Sequence, residues 1–394
     1  MGRDRWAGPA IGCSGSGAVQ VNLDDGSVTG PGGLLERFGQ LPDPRGRRGR
    51  RHSLAGLLVI AAAAVLAGGR SFAAIGQFSR TLPQATLARV GAWQRPYSSW
   101  HVAPSETTLR CVLQQVDADE LDRVVGGWLA EQAAADRGPI AVDGKVLRGA
   151  RQGGHQVHLF AALAHDSGMV LAQRKVDATT TETTQLEPLL DEVDLAGRVV
   201  TADALHTNPA EARWLVERGA DYVLTVKGNQ PGLVAAIDRL APEVFPPAHR
   251  TVDRGHGRIE RRTIQTAPVP DMVRFPGARQ VLVLTRHVTA LDGCRPRTEV
   301  VYGITSLDAE HASPARLGVL VRGQWQIENR LHWVRDVTFD EDRSQVRTGH
   351  GPEVMACLRN LAISLLRLAG EGNIAAGLRS TGWDHSRAFA LLGS

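Results

Sequence analysis

An α/β fold is predicted for this chain: a mixed sheet flanked by helices, with an all-helical N-terminal domain before it and a β-rich insertion within it. Apolar residues recur every three to four positions from Leu34 to about Ala135, which is the helical period. Short apolar runs bounded by Gly and Asp follow from Pro139 to Val226, and further strand-like runs extend to Ile304. The change of period near Pro139 therefore marks the start of the sheet.

The N-terminal third combines an irregular segment with a helical domain. Residues 1–31 mix Gly, Ser and Asp with little periodicity, and we expect a disordered tail there. Residues 32–135 are expected to be helical, with Ser53 capping the apolar run Leu54–Ala67. That run has 14 residues, fewer than the ~20 that span a bilayer. It therefore predicts a buried helix and no membrane partner.

Residues 136–227 are predicted to form the first part of the core, in the order βββαβαβ. Two helices separate the later strands and end near glycines, as helices commonly do. The predicted strands are Ile140–Val142, Val157–Phe160, Val170–Leu171, Val199–Val200 and Asp221–Val226, and the helices are Thr184–Val193 and Pro209–Glu217.

The remaining residues divide into a strand-rich and a helical part. We interpret residues 228–305 as an inserted β unit, because they contain three strand-like runs separated by turn residues. Ser313 and Pro314 are typical of a helix start, and apolar spacing continues to about Asp336. A second helix is predicted over Val354–Leu368. We assign residues 306–370 to the C-terminal helices of the core and residues 371–394 to a C-terminal tail.

Three acidic residues are placed where the predicted elements could bring them together. Asp143 and Asp203 each follow an apolar run, so both are predicted at the carboxyl ends of strands, where ligands of open α/β sheets bind. Glu328 lies on the largely apolar face of the predicted long helix, which we expect to pack toward the sheet. Three hard oxygen donors suit Mg²⁺ or Mn²⁺, and two such ions about 3.5 to 4 Å apart can support phosphoryl transfer.

Each acid taken alone also has a structural explanation. An Asp before a Gly, as at Asp143, is common in turns, and a helical Glu usually faces water. The joint placement of the acids after two strands and on a helix favours the metal-site interpretation. Spacing by itself leaves both explanations open.

The motifs around these acids resemble the H-repeat-associated, ISAs-type family of insertion-sequence transposases. The resemblance spans residues 32–368 and implies a ribonuclease-H-like core whose catalytic DDE triad falls on Asp143, Asp203 and Glu328. Gln324 stands where the family commonly has histidine, and Thr179–Glu182 replaces a Lys-Thr-Asn-Glu stretch. The matching segments are Asp43–Arg45, Arg50–His52, Ala141–Lys145, Thr201–Thr207, Asp221–Gln230, Tyr302–Leu307 and Trp325–Trp333.

Basic residues identify candidate DNA contacts on a chain with a formal net charge of +4. Five of the seven residues from 45 to 51 are arginines, and such a run before a helical domain can neutralise phosphates or form a solvated linker. Basic residues near the acids could clamp phosphates or form structural ion pairs. The candidates are Arg45, Arg47, Arg48, Arg50, Arg51, Lys145, Arg148, Lys227, Arg322 and Arg330, of which Lys227 is the preferred phosphate contact.

Aromatic and histidine residues near the acids have weaker assignments. Trp325 and Trp333 flank Glu328 at −3 and +5, where an aromatic ring could stack on an unpaired base, although core packing is favoured. His206 and His332 could orient carboxylates or phosphates. The four cysteines are far apart and contain no CxxC pair, so we expect no structural zinc and a reducing cytoplasm.

The predicted function is metal-dependent cleavage of DNA at the ends of an insertion sequence, followed by strand transfer. Two alternatives stay open: a ribonuclease-H-like nuclease that never joins strands, and an inactive relic that only binds DNA. The partners are double-stranded DNA, as terminal repeats and target, and further copies of the chain in a homodimer or larger complex. A cytoplasmic, nucleoid-associated location follows from that substrate.

Overall fold

The computed structural model describes residues 33–133, 136–152, 154–177, 180–240, 249–255, 257–291 and 296–393. The tail predicted at residues 1–31 lies outside the described residues. The helices are α1 Leu34–Phe38, α2 Leu54–Leu66, α3 Phe72–Thr81, α4 Gln84–Arg89, α5 Glu106–Leu113, α6 Ala118–Gln132, α7 Leu186–Leu190, α8 Pro209–Glu217, α9 Pro231–Asp238, α10 Pro314–Ile327, α11 Gly351–Leu368, α12 Ile374–Trp383 and α13 His385–Leu391. The strands are β1 Ile140–Gln152, β2 His155–Ala164, β3 Val170–Val176, β4 Val199–Ala202, β5 Asp221–Val226, β6 His249–Gly255, β7 Arg258–Pro268, β8 Gln280–Ala290 and β9 Arg297–Thr305.

Helix α2 is the centre of the helical region. Its N-cap, Ser53, accepts a hydrogen bond from the Gly56 backbone N–H, as the sequence predicts. Nearly every residue of α2 is buried, so this apolar helix is surrounded by protein. The helical character predicted for residues 32–135 is confirmed by α1 to α6.

In the part of the chain that the structure describes, we find no helix with the length and apolar character needed to cross a membrane.

The sheet contains all nine described strands in the order β3-β2-β1-β4-β5-β9-β8-β7-β6. Strands β1, β2 and β3 form antiparallel neighbours, whereas β4 pairs in parallel with both β1 and β5. The predicted order βββαβαβ is confirmed, because α7 precedes β4 and α8 connects β4 to β5. The protein is therefore a mixed α/β structure with helices flanking one large sheet.

The described residues of the segment 228–305 contain the strands β6 to β9, so its predicted strand-rich character is confirmed, and these strands extend the core sheet. β9 pairs antiparallel with β5, from Val223 opposite Thr305 to Val226 opposite Tyr302. This pairing satisfies the backbone groups at the free edge of β5, which a separate unit would leave open. The same segment also contains α9, a short helix that begins at Pro231 and that the strand-like pattern did not predict.

The C-terminal residues are folded, which corrects the predicted tail at 371–394. Helices α12 and α13 contribute Leu378 and Phe389 to the same core as α2, and burial of these side chains explains why the segment is ordered. The Thr381 hydroxyl donates to the Leu66 carbonyl at the end of α2. The Leu34 N–H donates to the Leu392 carbonyl at 3.2 Å, so α1 meets the end of α13.

Helix α10 continues beyond Ile327 as wide helical turns. Ser313 caps its start and Pro314 is its first residue, as the sequence predicts. The segments Glu328–His332 and Val334–Thr338 have π-helical geometry, which is rare and often occurs at functional sites. Glu328 is thus the first residue of a wide turn.

Candidate metal centre

Asp143 and Asp203 come from neighbouring parallel strands. Ala141 of β1 pairs with Thr201 of β4, so each aspartate lies two residues beyond the same pair. Asp203 directly follows β4, which confirms its predicted position. The prediction that Asp143 ends a strand is wrong, because β1 stays paired with β2 as far as Gln152. Asp143 nevertheless lies where β4 has stopped, at an open edge of β1.

Asp203 is held by its own backbone turn. Its Oδ1 accepts a hydrogen bond from the Leu205 N–H at 2.8 Å and caps the short 3₁₀ turn Ala204–His206. The capping bond orients the carboxylate immediately after β4. One of its two oxygens is therefore shared with the backbone.

Glu328 reaches Asp143 through His332. Nδ1 of His332 lies 3.1 Å from Glu328 Oε2 and 3.6 Å from Asp143 Oδ2. One possible ligand atom from each of these three residues lies within 4.8 Å of the others, a spacing that suits one metal ion. The expected burial of Glu328 is wrong, since 56% of its side chain is exposed. Asp203 is not one of these three residues, but its charge helps to raise the pKa of Asp143, so it lies nearby. We call Asp143, Asp203, Glu328 and His332 the acidic centre.

The acidic centre concentrates negative charge. Burial raises the pKa of Asp143 to about 6, and the charges of Glu182 and Asp203 add to the rise while His332 opposes it. The hydrogen bond to His332 lowers the pKa of Glu328. Ionisation of Asp143 is therefore unfavourable unless a positive charge lies beside it.

The donor set fits a divalent cation. Carboxylate oxygens are the preferred ligands of Mg²⁺ and Mn²⁺, and two of them meet here beside an imidazole. Nε2 of His332 is buried and has no hydrogen-bond partner among the described residues, so the ring is held through its Nδ1 side. The arrangement can bind a cation at this edge of the sheet.

Helix α10 is seated on the two aspartate strands by Gln324 and Gly323. The Gln324 amide donates to the Val142 carbonyl at 2.8 Å and accepts from the Thr201 hydroxyl at 2.7 Å. Thr201 also lies 2.9 Å from His165 Nε2. A side chain at position 323 would overlap the His165 ring, so glycine allows the close approach. Gln324, which departs from the family histidine, therefore bonds both strands that position the aspartates.

A second cluster beside the acidic centre involves Glu182, which the sequence motifs do not identify as a site residue. Its oxygens lie 2.8 Å from His158 Nε2 and 3.1 Å from His206 Nε2. Although burial opposes the charged form, the hydrogen bonds from both histidines lower the pKa of Glu182 to about 2. Burial likewise opposes charge on His206, but hydrogen bonds to Glu182 and Glu211 raise its pKa to about 9. Glu182 thus ties β2 to the turn after Asp203, a long-range contact without a local sequence pattern.

Two of the basic residues near the acids, Lys145 and Arg330, form contacts within the protein. Lys145 is only 9% exposed and its Nζ lies 2.6 Å from Asp336 Oδ2, so it forms a structural ion pair. Arg330 donates to the carbonyls of His165 and Ser167 and thereby holds the turn between β2 and β3. These two side chains have their donors engaged within the protein.

Three other predicted contacts are more accessible. Lys227 directly follows β5 and is exposed. Arg148 lies 3.5 Å from Asp342, and Arg322 lies 3.4 Å from Asp253, but both guanidinium groups are largely exposed. Each of these side chains can turn toward solvent, where a pair of this kind contributes little stability.

The arginine-rich run is partly structural. Arg45 donates to Asp43 at 2.8 Å and to the His52 carbonyl at 2.8 Å, and Arg50 donates to the Asp43 carbonyl. These bonds fold the segment that enters α2. Arg50 is nevertheless exposed, as are Arg47 and Arg48, in a 3₁₀ turn, and Arg51, whose guanidinium lies 5.4 Å from the Trp93 ring centre.

The tryptophans flanking Glu328 are on the surface, so the favoured expectation of core packing is wrong. Trp325 is 65% exposed and Trp333 is 54% exposed. The apolar face of α10 is formed by other residues, including Leu317 and Leu320, which leaves the tryptophans on the outer side.

The fold and the acidic centre together define an α/β protein with a candidate divalent-metal site. Residues 134–365 match the family described as transposase DDE domain, and residues 35–129 match the family described as DDE_Tnp_1-associated. The chain belongs to the DDE transposase family and is a DNA transposase. The predicted resemblance to H-repeat-associated transposases is thereby confirmed.

Relatives of similar length support the assignment. The chain is 29% identical over 350 residues to putative transposase YncI of Escherichia coli O157:H7, covering 85% of this chain and 87% of the relative. It is 27% identical over 364 residues to the H repeat-associated putative transposase YhhI of Escherichia coli K12, covering 88% and 93%. A solved piggyBac transposase synaptic complex with hairpin DNA aligns over 91% of this chain and 78% of its own, at 11% identity and a TM-score of 0.41, which is too low to assign a shared fold.

Proposed function

We propose that Asp143, Asp203 and Glu328 form the catalytic triad of this transposase and hold Mg²⁺ or Mn²⁺, as two ions, on a ribonuclease-H-like core. The supporting observation is the convergence of Asp143 and Glu328 on His332, with Asp203 at the same level on the neighbouring strand. The strand order β3-β2-β1-β4-β5, with aspartates on β1 and after β4, supports the proposed core.

The protein side chains prepare this site for phosphoryl transfer. A bound divalent cation supplies charge stabilisation at the scissile phosphate. Asp143 and Asp203 are fixed by the sheet, whereas Glu328 is carried by the wide turn and oriented by the bond to His332. Because the carboxylates would repel a phosphate, the site is suited to DNA only when their charge is balanced.

The proposed substrate is double-stranded DNA at the element ends, which is cut and then joined to target DNA. Exposed basic side chains support this proposal, since the exposed pairs that some of them form contribute little stability and can give way to phosphate contacts. We retain Arg47, Arg48, Arg51, Arg148, Lys227 and Arg322 as phosphate contacts, and assign Arg45, Arg50, Lys145 and Arg330 chiefly to positioning. Two ends require two sites, so we propose a homodimer or larger complex, acting in the bacterial cytoplasm at the nucleoid.

The proposal is tested with purified protein, DNA carrying the flanking element ends, and Mg²⁺ or Mn²⁺. The wild type should give nicked and joined products, and Asp203→Asn and Glu328→Gln should give neither while still shifting the DNA in a gel. Cleavage by either variant at the wild-type rate contradicts the triad. Nicks without joined products indicate a nuclease, and binding without nicks indicates a relic.

A further inference from the structure

An open cleft of about 880 Å³ lies on the outer side of the wide turns that follow Glu328. Its walls come from the end of α2, the wide turns and α12. We name it the tryptophan cleft after Trp333 and Trp383, which line it together with Arg70 and Arg379. None of these four residues belongs to the acidic centre.

Both indoles of the tryptophan cleft face solvent. Trp383 is 85% exposed and Trp333 is 54% exposed. Within the described residues, neither ring stacks on another aromatic ring and neither indole N–H has an acceptor. Two large apolar rings at one cavity leave an uncovered surface of the kind that binds a ligand.

The charge of the cleft selects an anionic ligand. Arg70 and Arg379 are exposed, and neither forms an ion pair with an acidic residue that the structure describes. The acidic residue in the lining, Glu371, is already paired with Arg387 at 2.5 Å. The cleft therefore offers two free guanidinium groups beside two free aromatic faces.

The cleft is preformed by the packing of α12 on α2. Ile374 and Leu378 of α12 are buried in the helical core, and Val334 is buried on the opposite wall. The Thr381 hydroxyl bonds the end of α2, and Gly382 lets the two elements approach closely. The backbone that carries the two tryptophans is therefore placed by packing within the protein.

We propose that the tryptophan cleft binds unpaired nucleotides of the DNA strand next to the cut site. Aromatic faces stack on any unpaired base, and guanidinium groups contact the phosphates between bases. A duplex hides the base faces, so the cleft is suited to single strands. Asn329, in the lining, directly follows Glu328, so the cleft borders the same helical segment that carries the glutamate of the acidic centre. This step rests on the proposed function.

The test measures strand binding apart from cleavage, using full-length protein with Asp203→Asn and EDTA. The probe is a ten-nucleotide single strand containing 2-aminopurine, and a blunt duplex of the same sequence is compared. Trp383→Ala with Arg379→Ala should weaken single-strand binding about tenfold. Duplex binding should change less than twofold. The matched control, Trp100→Ala, removes another exposed tryptophan and should leave both affinities unchanged.

The single-strand affinity of the double variant decides the proposal, and an unchanged affinity overturns it. If the double variant converts dimers to monomers while the strand affinity stays intact, the cleft is a protein interface instead. Trp383→Phe should recover most of the affinity and the aminopurine quenching, whereas loss of folding would appear as a lower unfolding midpoint. If single-strand binding depends on the cleft but the wild-type protein never cleaves DNA, the proposed function is wrong and the proposal for the cleft is supported.

Discussion

The acidic centre and a buried charge cluster both take residues from the chain between Glu328 and Glu341, but they balance their charges differently. The buried charge cluster consists of Glu341 between Arg335 and Arg359, with oxygen-to-nitrogen distances of 2.8 Å and 2.6 Å. Although burial opposes ionisation, the two arginines lower the pKa of Glu341 to about 2. Each of its oxygens has its own cation.

In the acidic centre, no described Arg or Lys forms an ion pair with the three carboxylates. Asp143 and Glu328 instead share a single imidazole. The comparison shows that a basic residue close to a carboxylate in sequence does not reveal whether the two form an ion pair. What distinguishes a binding site from a structural pair is whether the positive charge is supplied by the protein.

The largest expected effect is on catalysis, from Asp143→Asn. We expect a loss of cleavage of roughly a thousandfold, because a ligand for the cation is removed where it acts on the reacting phosphate. The unfolding midpoint without metal should not fall, since burial of the Asp143 charge is costly. Added Mn²⁺ should raise the midpoint of the wild type and not of the variant. Equal shifts would place the cation elsewhere.

The opposite pattern is expected for Glu341→Gln in the buried charge cluster. Removing this carboxylate leaves two buried guanidinium groups without a counter-charge, which should lower the free energy of unfolding by about 3 to 5 kcal/mol. Urea unfolding gives the value. The control Glu106→Gln removes an exposed pair with Arg110 and should cost less than about 1 kcal/mol. A similar loss of unfolding free energy in both variants would contradict a larger contribution from the buried charge cluster.

The packing of α10 against β1 and β4 is tested by Gly323→Ala. The added methyl group overlaps the His165 ring, so we expect a loss of about 1 to 3 kcal/mol in unfolding free energy and slower cleavage through a displaced Glu328. Gly318→Ala in the same helix meets only Ile264 at ordinary contact distance and should be neutral or stabilising by up to about 1 kcal/mol. Destabilisation by both would indicate a general intolerance of α10.

The smallest effect concerns Asp122, which accepts a hydrogen bond from Gln173 beside the buried charge cluster. Burial raises the pKa of Asp122 to about 7. A raised pKa means that the group contributes stability at acidic pH and that this contribution is lost as the pH rises through 7. Asp122→Asn should therefore gain on the order of 1 kcal/mol relative to wild type between pH 5 and pH 8. Parallel pH profiles would contradict the assignment.

Local patterns predicted the elements well because they depend on neighbours in sequence. Caps at Ser53 and Ser313 and the order βββαβαβ follow from side chains within a few residues. The joining of β9 to β5, the folding of residues 371–393 and the bond from Glu182 to His206 are long-range and have no periodic pattern. Apolar spacing predicts a regular helix through Glu328, whereas this residue begins a π-helical turn and 56% of its side chain is exposed.

Helix α2 is buried by α1, α3 and α5 and also by partners from the far end of the chain, namely α11, α12 and α13. A ribosome adding about 5 to 20 residues per second synthesises α11 roughly 15 to 60 s after α2 has emerged. During that interval an apolar helix lacks part of its native covering, which makes the nascent protein a client for chaperones. Truncated copies that lack the last helices would expose the same surface permanently and be removed by proteolysis.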